Sequence, residues 1–512
     1  MNTHTKIALW LLLLGITGIF AGKALWDSFE RQQSIHLSDA TRMKGRIVIG
    51  VDNWVGYFPL CSPVLQRRLY QQGYSLECQD DGADYPRRFT ALAQGKIDLA
   101  AASLDAYLVN GAASKYPGAV IAVLDESRGG DALVAWQDRL ASLEALRQRE
   151  AVKIAFTPDS PSDHLLKAVA VHFDILWLKR RRDWPVFAKG SSDALRRLLA
   201  REVEAAVLWE PDIARARQES GITVLLSTAQ TRQLIVDTLI AGRAMIRERP
   251  EALKTLLSEY FWTLKHYRDH PEALTEDLRQ ATALPDSAIQ ALLQGVAWQG
   301  MTENARQWLG LSAPPGELPR QDLVETLQSS VHILLQYGAF DHSPLPDNDP
   351  YRLLNSRFIG ELYQQWDAEP AAVVEQVEFP ALNEQQWRNL QPVGLLKIRP
   401  IVFASGTDQL TLDDKKQLDE AAETLKHYPR FRVLIRGHTS TRGDAQQNKQ
   451  LSLDRAQAVM RYLIITHSIP ETRLYAVGLG GDEPLSRLPD ESDRAYFYRL
   501  PRVELLLVTE RW

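Results

Sequence analysis

The twenty residues from Gly437 to Ala456, GHTSTRGDAQQNKQLSLDRA, concentrate groups able to hold a charged ligand. Ser452 reads as a helix N-cap, which places Arg455 in the first turn, beside unpaired backbone N–H groups and the positive end of the helix dipole. A guanidinium with free N–H donors makes a carboxylate site. Spacing alone equally allows a surface arginine paired to Asp444 or Asp454. A second set of candidates lies upstream. Trp54, Tyr57, Ser103, Asp105, Ser127, Ser160 and Trp209 fall at or just after apparent strand ends, where open α/β sheets bind ligands. Their rings supply apolar walls, and their hydroxyls fix orientation. The helix start at Ser160-Pro161-Ser162-Asp163-His164 suits an anion, whereas Glu210 and Asp237 suit a cationic group. Core packing of Trp54 and Trp209, and N-capping by Ser162 or Asp163, are the structural alternatives.

Catalysis has little support. His164 lies near Ser160 and Asp163, but neighbours at one helix start rarely form a triad. No Gly-x-Ser-x-Gly elbow or metal-spaced histidine cluster occurs. A net charge of -5 without a basic stripe argues against nucleic acid as a partner.

The elements that must position these residues follow from pattern. At 512 residues, two or three domains are expected. Residues 46–52, 74–79 and 99–104 read as strands, alternating with helices at 63–72 and 89–94. A second such unit has strands at 152–156 and 205–209 and helices at 164–173 and 192–201, with further strand-like runs at 223–227 and 234–241. This alternation implies a parallel sheet in each unit. Residues 250–337 turn mainly helical. Pro370, Pro380 and Pro392 mark a linker over 367–396. A last α/β unit has strands at 398–403, 432–436, 473–477 and 503–508. Its first helix opens at Thr411 in a capping-box variant, and its helices are expected on one side of a small mixed sheet.

At the other end, residues 7–22 form an uncharged apolar run. If Lys23 snorkels, the run reaches Trp26, about 20 residues and one membrane crossing. Gly22-Lys23-Ala24 offers a weak signal-cleavage site as the alternative. Both readings export the remainder and leave 27–45 as a spacer. Cys61 and Cys78 are the only cysteines, an even count suited to an oxidising compartment. The expected elements bring them to one edge of a sheet, where a disulfide is sensible; two free buried thiols are the alternative.

Two resemblances add to this. Phe403, Gly406, Gly437-His438-Thr439, Gly443, Asn448, Leu451-Ser452, Arg455-Ala456, Gly478, Gly480 and Arg502-Val503-Glu504 stand in an order that resembles the OmpA/MotB C-terminal domain. The resemblance covers most of 397–512 and implies a βαβαββ α+β fold. It implies peptidoglycan binding through the diaminopimelate of the stem peptide, with Thr439, Ser440, Asn448, Leu451, Arg455 and Arg502 at the site. Arg455 would hold the carboxylate. The family's ammonium-binding Asp is replaced by Ser440, and its Arg-Arg-Val-Glu ending reads Pro501-Arg502-Val503-Glu504, so wall binding is expected to be weakened or altered.

Residues 46–366 resemble periplasmic substrate-binding proteins of the nitrate, sulfonate, taurine and thiamine-precursor type. The matching segments are Asn53-Trp54-Val55-Gly56-Tyr57, ALAQGKID at 91–98, DESRGGD at 125–131, VLWEPD at 207–212 and Val236-Asp237-Thr238. This implies a type II arrangement of two α/β lobes closing on an unidentified small solute, without a cofactor. The combined expectation is a non-catalytic envelope protein, membrane-anchored by residues 1–26 or secreted to the periplasm. A scaffold with a non-binding cleft is the alternative.

Overall fold

The computed structural model describes residues 43–149, 151–313, 316–366, 377–398, 401, 403 and 406–510. The expected apolar span at 7–26 lies outside these residues. Among the described residues, no helix is long and apolar enough to cross a membrane.

The chain builds its first lobe on four strands, β1 (Gly45–Val51), β2 (Tyr74–Asp80), β3 (Leu99–Ser103) and β4 (Gly118–Ser127). It crosses at 128–130 into a second lobe of β5 (Asp131–Trp136), β6 (Ile154–Phe156), β7 (Pro185–Phe187), β8 (Ala205–Trp209) and β9 (Ile222–Ser227). A second crossing at 228–235 returns it to the first lobe as β10 (Val236–Gly242) and β11 (Val296–Trp298). The first sheet runs β11-β4-β10-β3-β1-β2 and the second β7-β6-β8-β5-β9. Neither is purely parallel, contrary to the expectation from strand–helix alternation. β10 re-enters antiparallel between β3 and β4, and β5 lies antiparallel between β8 and β9. β4, β5 and β10 are buried along their whole length. Their apolar stretches therefore show no period-two alternation.

Thr228 joins the crossings. Its hydroxyl accepts the backbone N–H of Gly129 at 2.9 Å and of Asp131 at 3.1 Å, and lies 2.9 Å from Ser127 Oγ. Cys61 and Cys78 are disulfide-bonded, with Cα atoms 6.0 Å apart, as expected. The helical stretch after Pro250 includes Pro250–Asp269, Pro271–Thr282 and Asp286–Gln294. It ends in Asp322–Tyr337, which packs on both the Leu104–Ala113 helix of the first lobe and the Pro161–His172 helix of the second.

The C-terminal unit has a sheet of order β12-β15-β13-β14, from β12 (Gln391–Leu395), β13 (Arg432–His438), β14 (Leu474–Gly478) and β15 (Arg502–Thr509). Here the expected boundary moves. β12 lies within the stretch read as linker, while Ile398, Ile401 and Phe403 belong to no strand. β12 is an edge strand, the position where Pro392 costs no ladder hydrogen bond, so its proline does not mark a linker. The helices Leu412–Lys426 and Ala445–His467 cover one face. The other face is not bare: Trp387 of the short Glu384–Arg388 helix stacks on Tyr475 at 5.1 Å beside Leu506 and Val508.

This unit is docked, not merely tethered. One continuous apolar core includes Phe156, Phe173, Ile175 and Trp177 of the second lobe together with Val393, Leu418, Tyr428, Phe431 and Val433. Across the joint, Lys397 N–H donates to the His172 carbonyl at 2.7 Å, and Arg232 N–H to the His427 carbonyl at 2.9 Å. His172 Nδ1 lies 2.8 Å from Tyr428 Oη.

Candidate binding sites

The inter-lobe cleft is closed to a cavity of about 20 Å³, space for a single water. The first lobe lines it with Asp52, Trp54, Tyr57, Ala83, Tyr85 and Asp237, and the second with Asp131, Ser160, Pro161 and Trp209. Each position follows from local structure. Asp52 and Trp54 follow the end of β1, and the Asp52 carboxylate accepts the Trp54 N–H at 3.0 Å. Tyr85 opens a helix capped by Asp84, which accepts the Arg87 N–H. Asp131 opens β5, and Asp237 lies one residue into β10.

Buried carboxylates crowd this site. Tyr57 Oη donates to Asp237 at 2.5 Å and Tyr85 Oη to Asp52 at 3.1 Å. Trp54 Nε1 donates to Asp125 at 3.1 Å, and Ser127 Oγ to Asp131 at 2.6 Å. The nearby guanidinium, Arg88, is shared between Asp52 at 3.0 Å and Asp81 at 2.5 Å. Among the described residues, no lysine, arginine or histidine lines the cavity. Burial, reinforced by surrounding carboxylates, pushes Asp131 up to about 7 and Asp125 up to about 8. Asp237 is raised well above the carboxylate range for the same reasons. Among the described residues, no group of three or more His, Cys, Asp or Glu is arranged to hold a metal ion.

Of the nine residues expected here, Trp54, Tyr57, Ser160, Trp209 and Asp237 line the cavity. Ser103 instead caps the Leu104–Ala113 helix through the Ala106 N–H. Asp105 is buried in that helix and pushed up to about 7 by burial. Ser127 serves the crossing, and Glu210 accepts the Ala214 N–H while facing a different cavity. The Ser160 hydroxyl donates to the Thr157 carbonyl rather than capping its helix. Asp52, Tyr85 and Asp131 were not foreseen. Asp52 and Asp131 stand at strand ends, the criterion that found the others.

In the C-terminal unit, Ser452 is not a helix start. The Ala445–His467 helix begins two turns earlier, where the Asp444 side chain accepts the Gln447 N–H at 2.8 Å. Ser452 is buried mid-helix; its hydroxyl donates to the Lys449 carbonyl and accepts the Gly480 N–H at 2.9 Å. Arg455 therefore gains nothing from the helix N-terminus, since the dipole effect fades within the first turn. Arg455 is instead 3% exposed, donating to the Thr407 carbonyl at 3.0 Å and lying 5.0 Å over the Phe403 ring. Burial lowers its pKa. Ser440 Oγ accepts the Arg442 N–H at 3.2 Å, and Asn448 Nδ2 bonds the Arg442 and Ser440 carbonyls. Thr439 N–H donates to the Gly480 carbonyl, and Leu451 is half-buried. Asp444 is occupied as the helix cap. Arg502 is held by the Leu500 and Glu483 carbonyls and by Glu504 at 2.7 Å. Burial opposes ionisation of Glu504, yet the His438 hydrogen bond and the Arg436 and Arg502 charges hold it well below the carboxylate range.

The geometry defines a two-lobe fold with a closed cleft, joined through a shared core to an α+β domain. Residues 402–496 match the model of the OmpA family, and this segment is an OmpA-family domain. The peptidoglycan-associated lipoprotein of Pseudomonas aeruginosa is 32% identical over 101 residues. That alignment takes in 20% of this chain and 59% of the relative, so the chain spans about three-fifths of that protein's length. Among solved structures, the alkanesulfonate-binding protein SsuA from Xanthomonas axonopodis pv. citri bound to MOPS is 15% identical, with a TM-score of 0.45, over 57% of this chain and 93% of that one. The periplasmic aliphatic sulphonate binding protein SsuA from Escherichia coli is also 15% identical with a TM-score of 0.45, over 60% and 98%.

Proposed function

We propose that the protein is a non-catalytic component of the cell envelope that binds a small cationic solute between its lobes and associates with peptidoglycan through its C-terminal domain. The observation that carries the reading is the cleft lining: four aromatic rings, three carboxylates and no basic side chain. Aromatic faces and carboxylates together favour an organic cation. The absence of a metal-holding group among the described residues favours an amine over a metal ion. Wall association is supported by the OmpA-family match and by the similarity to the peptidoglycan-associated lipoprotein of Pseudomonas aeruginosa. The role is that of a sensor or a transporter-associated receptor in the periplasm, with residues 1–26 as anchor or export signal.

The small residual cavity favours a second reading, a scaffold whose cleft binds nothing. Thermal shift of the whole chain separates the two. Quaternary amines, diamines, alkanesulfonates and pyrimidines form the panel. A ligand at one hundred times its Kd stabilises by about 2.7 kcal/mol, a shift of several degrees. Stabilisation by amines alone is the expected result, and silence across the panel leaves the scaffold.

At the wall site, Ser440→Asp restores the charge opposite an ammonium. A charged hydrogen bond is worth about 1.5–3 kcal/mol, so sacculus binding should strengthen by roughly 10- to 150-fold. Unchanged pull-down would show that Ser440 is not what limits binding.

A further inference from the structure

Behind the cleft a larger cavity of about 730 Å³ opens where the lobes meet the C-terminal domain. Five arginines line it. Arg128 comes from the first crossing, Arg232 from the second, Arg217 from the Asp212–Gln218 helix, and Arg430 and Arg473 from the OmpA-family domain. Among the described residues, Glu210 is the one acidic side chain of the lining, which leaves that lining net positive.

Local pairing offsets part of the imbalance: Glu210 feels the Arg217 charge, Arg232 feels Glu126 and Asp322, and the described lining still carries more arginines than carboxylates. Arg128 is answered by buried Glu126, at 2.9 Å. Arg473 is 8% exposed, and its guanidinium donates to the carbonyls of Phe431, Leu425 and Tyr428. Burial pushes its pKa down to about 10. Arg232 Nε is buried without a hydrogen-bond partner. A donor left unsatisfied is costly; Arg232 Nε is sealed from solvent, so an anion in the cavity would meet the terminal nitrogens of the guanidinium, whose planar fork suits carboxylate or phosphate oxygens. The cavity has the size of a small-molecule site. Its arginines come from several separate segments, so a monovalent ion would meet only a fraction of them.

We propose that this cavity binds a small multivalent anion, bearing two or more carboxylate or phosphate groups, and that the anion staples the C-terminal domain to both lobes. The site is separate from the cleft and opposite to it in charge preference.

Titration calorimetry on the whole chain with citrate and with pyrophosphate, in 150 mM NaCl, tests the site. At least one anion should bind with a Kd below 1 mM, and the tighter of the two identifies carboxylate or phosphate as the chemistry. The double variant Arg217→Gln, Arg232→Gln should weaken binding at least tenfold; Arg473 is spared because its carbonyl bonds hold the local fold. Absence of heat with both anions, or an unchanged Kd in the double variant, overturns the site. Hydrogen exchange supplies the second readout. The amides of residues 427–433 should exchange more slowly with anion bound, and unchanged exchange despite binding overturns the staple.

Discussion

Gly437→Ala is expected to destabilise the C-terminal domain by about 3 kcal/mol or more and to abolish sacculus binding. A Cβ at Gly437 would lie 1.9 Å from the Ser452 carbonyl oxygen and 2.8 Å from its carbon. These are backbone atoms of the Ala445–His467 helix, so no side-chain rotation relieves the clash. Gly437 pairs in register with Gly478 across β13 and β14, and a Cβ there would meet Lys449 O at 2.5 Å and Leu453 N at 2.6 Å. The helix thus lies directly on two glycines of the sheet. Lifting it breaks the Ser452–Gly480 hydrogen bond and displaces Asn448 and Arg455 together. Gly360→Ala is the control: its Cβ would meet only Leu311, at 3.7 Å, and alanine is the better helix former. Thermal melts and sacculus pull-down of both variants decide the matter. A Gly437→Ala protein that melts and binds like the parent would refute the close-packing account.

Raising the pH from 5 to 8 is expected to destabilise the empty protein, and a bound cation to reverse the loss. Asp131 is 3% exposed, and its carboxyl is pushed up to about 7 by burial and then by Asp105, Glu210 and Asp52. The folded state therefore holds a proton there that the unfolded chain, at about 3.9, has released. Its contribution is fully present below the unfolded value and is lost as pH rises through about 7. The loss is on the order of a few kcal/mol. Asp131→Asn keeps an acceptor for Ser127 Oγ but cannot ionise, so its Tm should fall less steeply over this range. A cation entering the cleft favours the ionised carboxylates and expels protons, so its affinity should rise with pH. Calorimetry in buffers of different ionisation enthalpy counts those protons. Cation affinity independent of pH, with no proton release, would exclude the carboxylates as the recognition groups.

The two lobes were largely legible because β1, β3 and β8 carry short apolar runs and β2 alternates, all bounded by turn residues. β4 and β5 were not: their facing ends, Asp125-Glu126-Ser127 and Asp131, are polar residues at the first crossing, which blurs the limits of both runs. The return of β10 into the first sheet is a tertiary fact that no local pattern encodes. In the C-terminal domain, Asp444 and Ser452 are both capping residue types. The first turns of the true helix, AQQNKQ, are mostly exposed and show no apolar stripe, so the later Ser452 appeared to begin it. Pro392 misled in a different way, because an edge strand tolerates what a central strand does not. Trp54, Tyr57 and Trp209 were found by their position at or after strand ends, whereas Tyr85, at a helix start, was not. Of the cleft's acidity only Asp237 was read, because Asp52, Asp131 and Asp237 are far apart in the chain and Asp131 joins the other two from the opposite lobe.

The apolar core that runs from Phe173 through Tyr428 to Val433 has a mechanical consequence. A chain moored to the wall by its last domain has its second lobe clamped to the mooring. That lobe becomes the stationary jaw, and opening the cleft swings the first lobe as the moving arm. Solute held between the lobes would then draw the first lobe toward a second lobe that is already fixed.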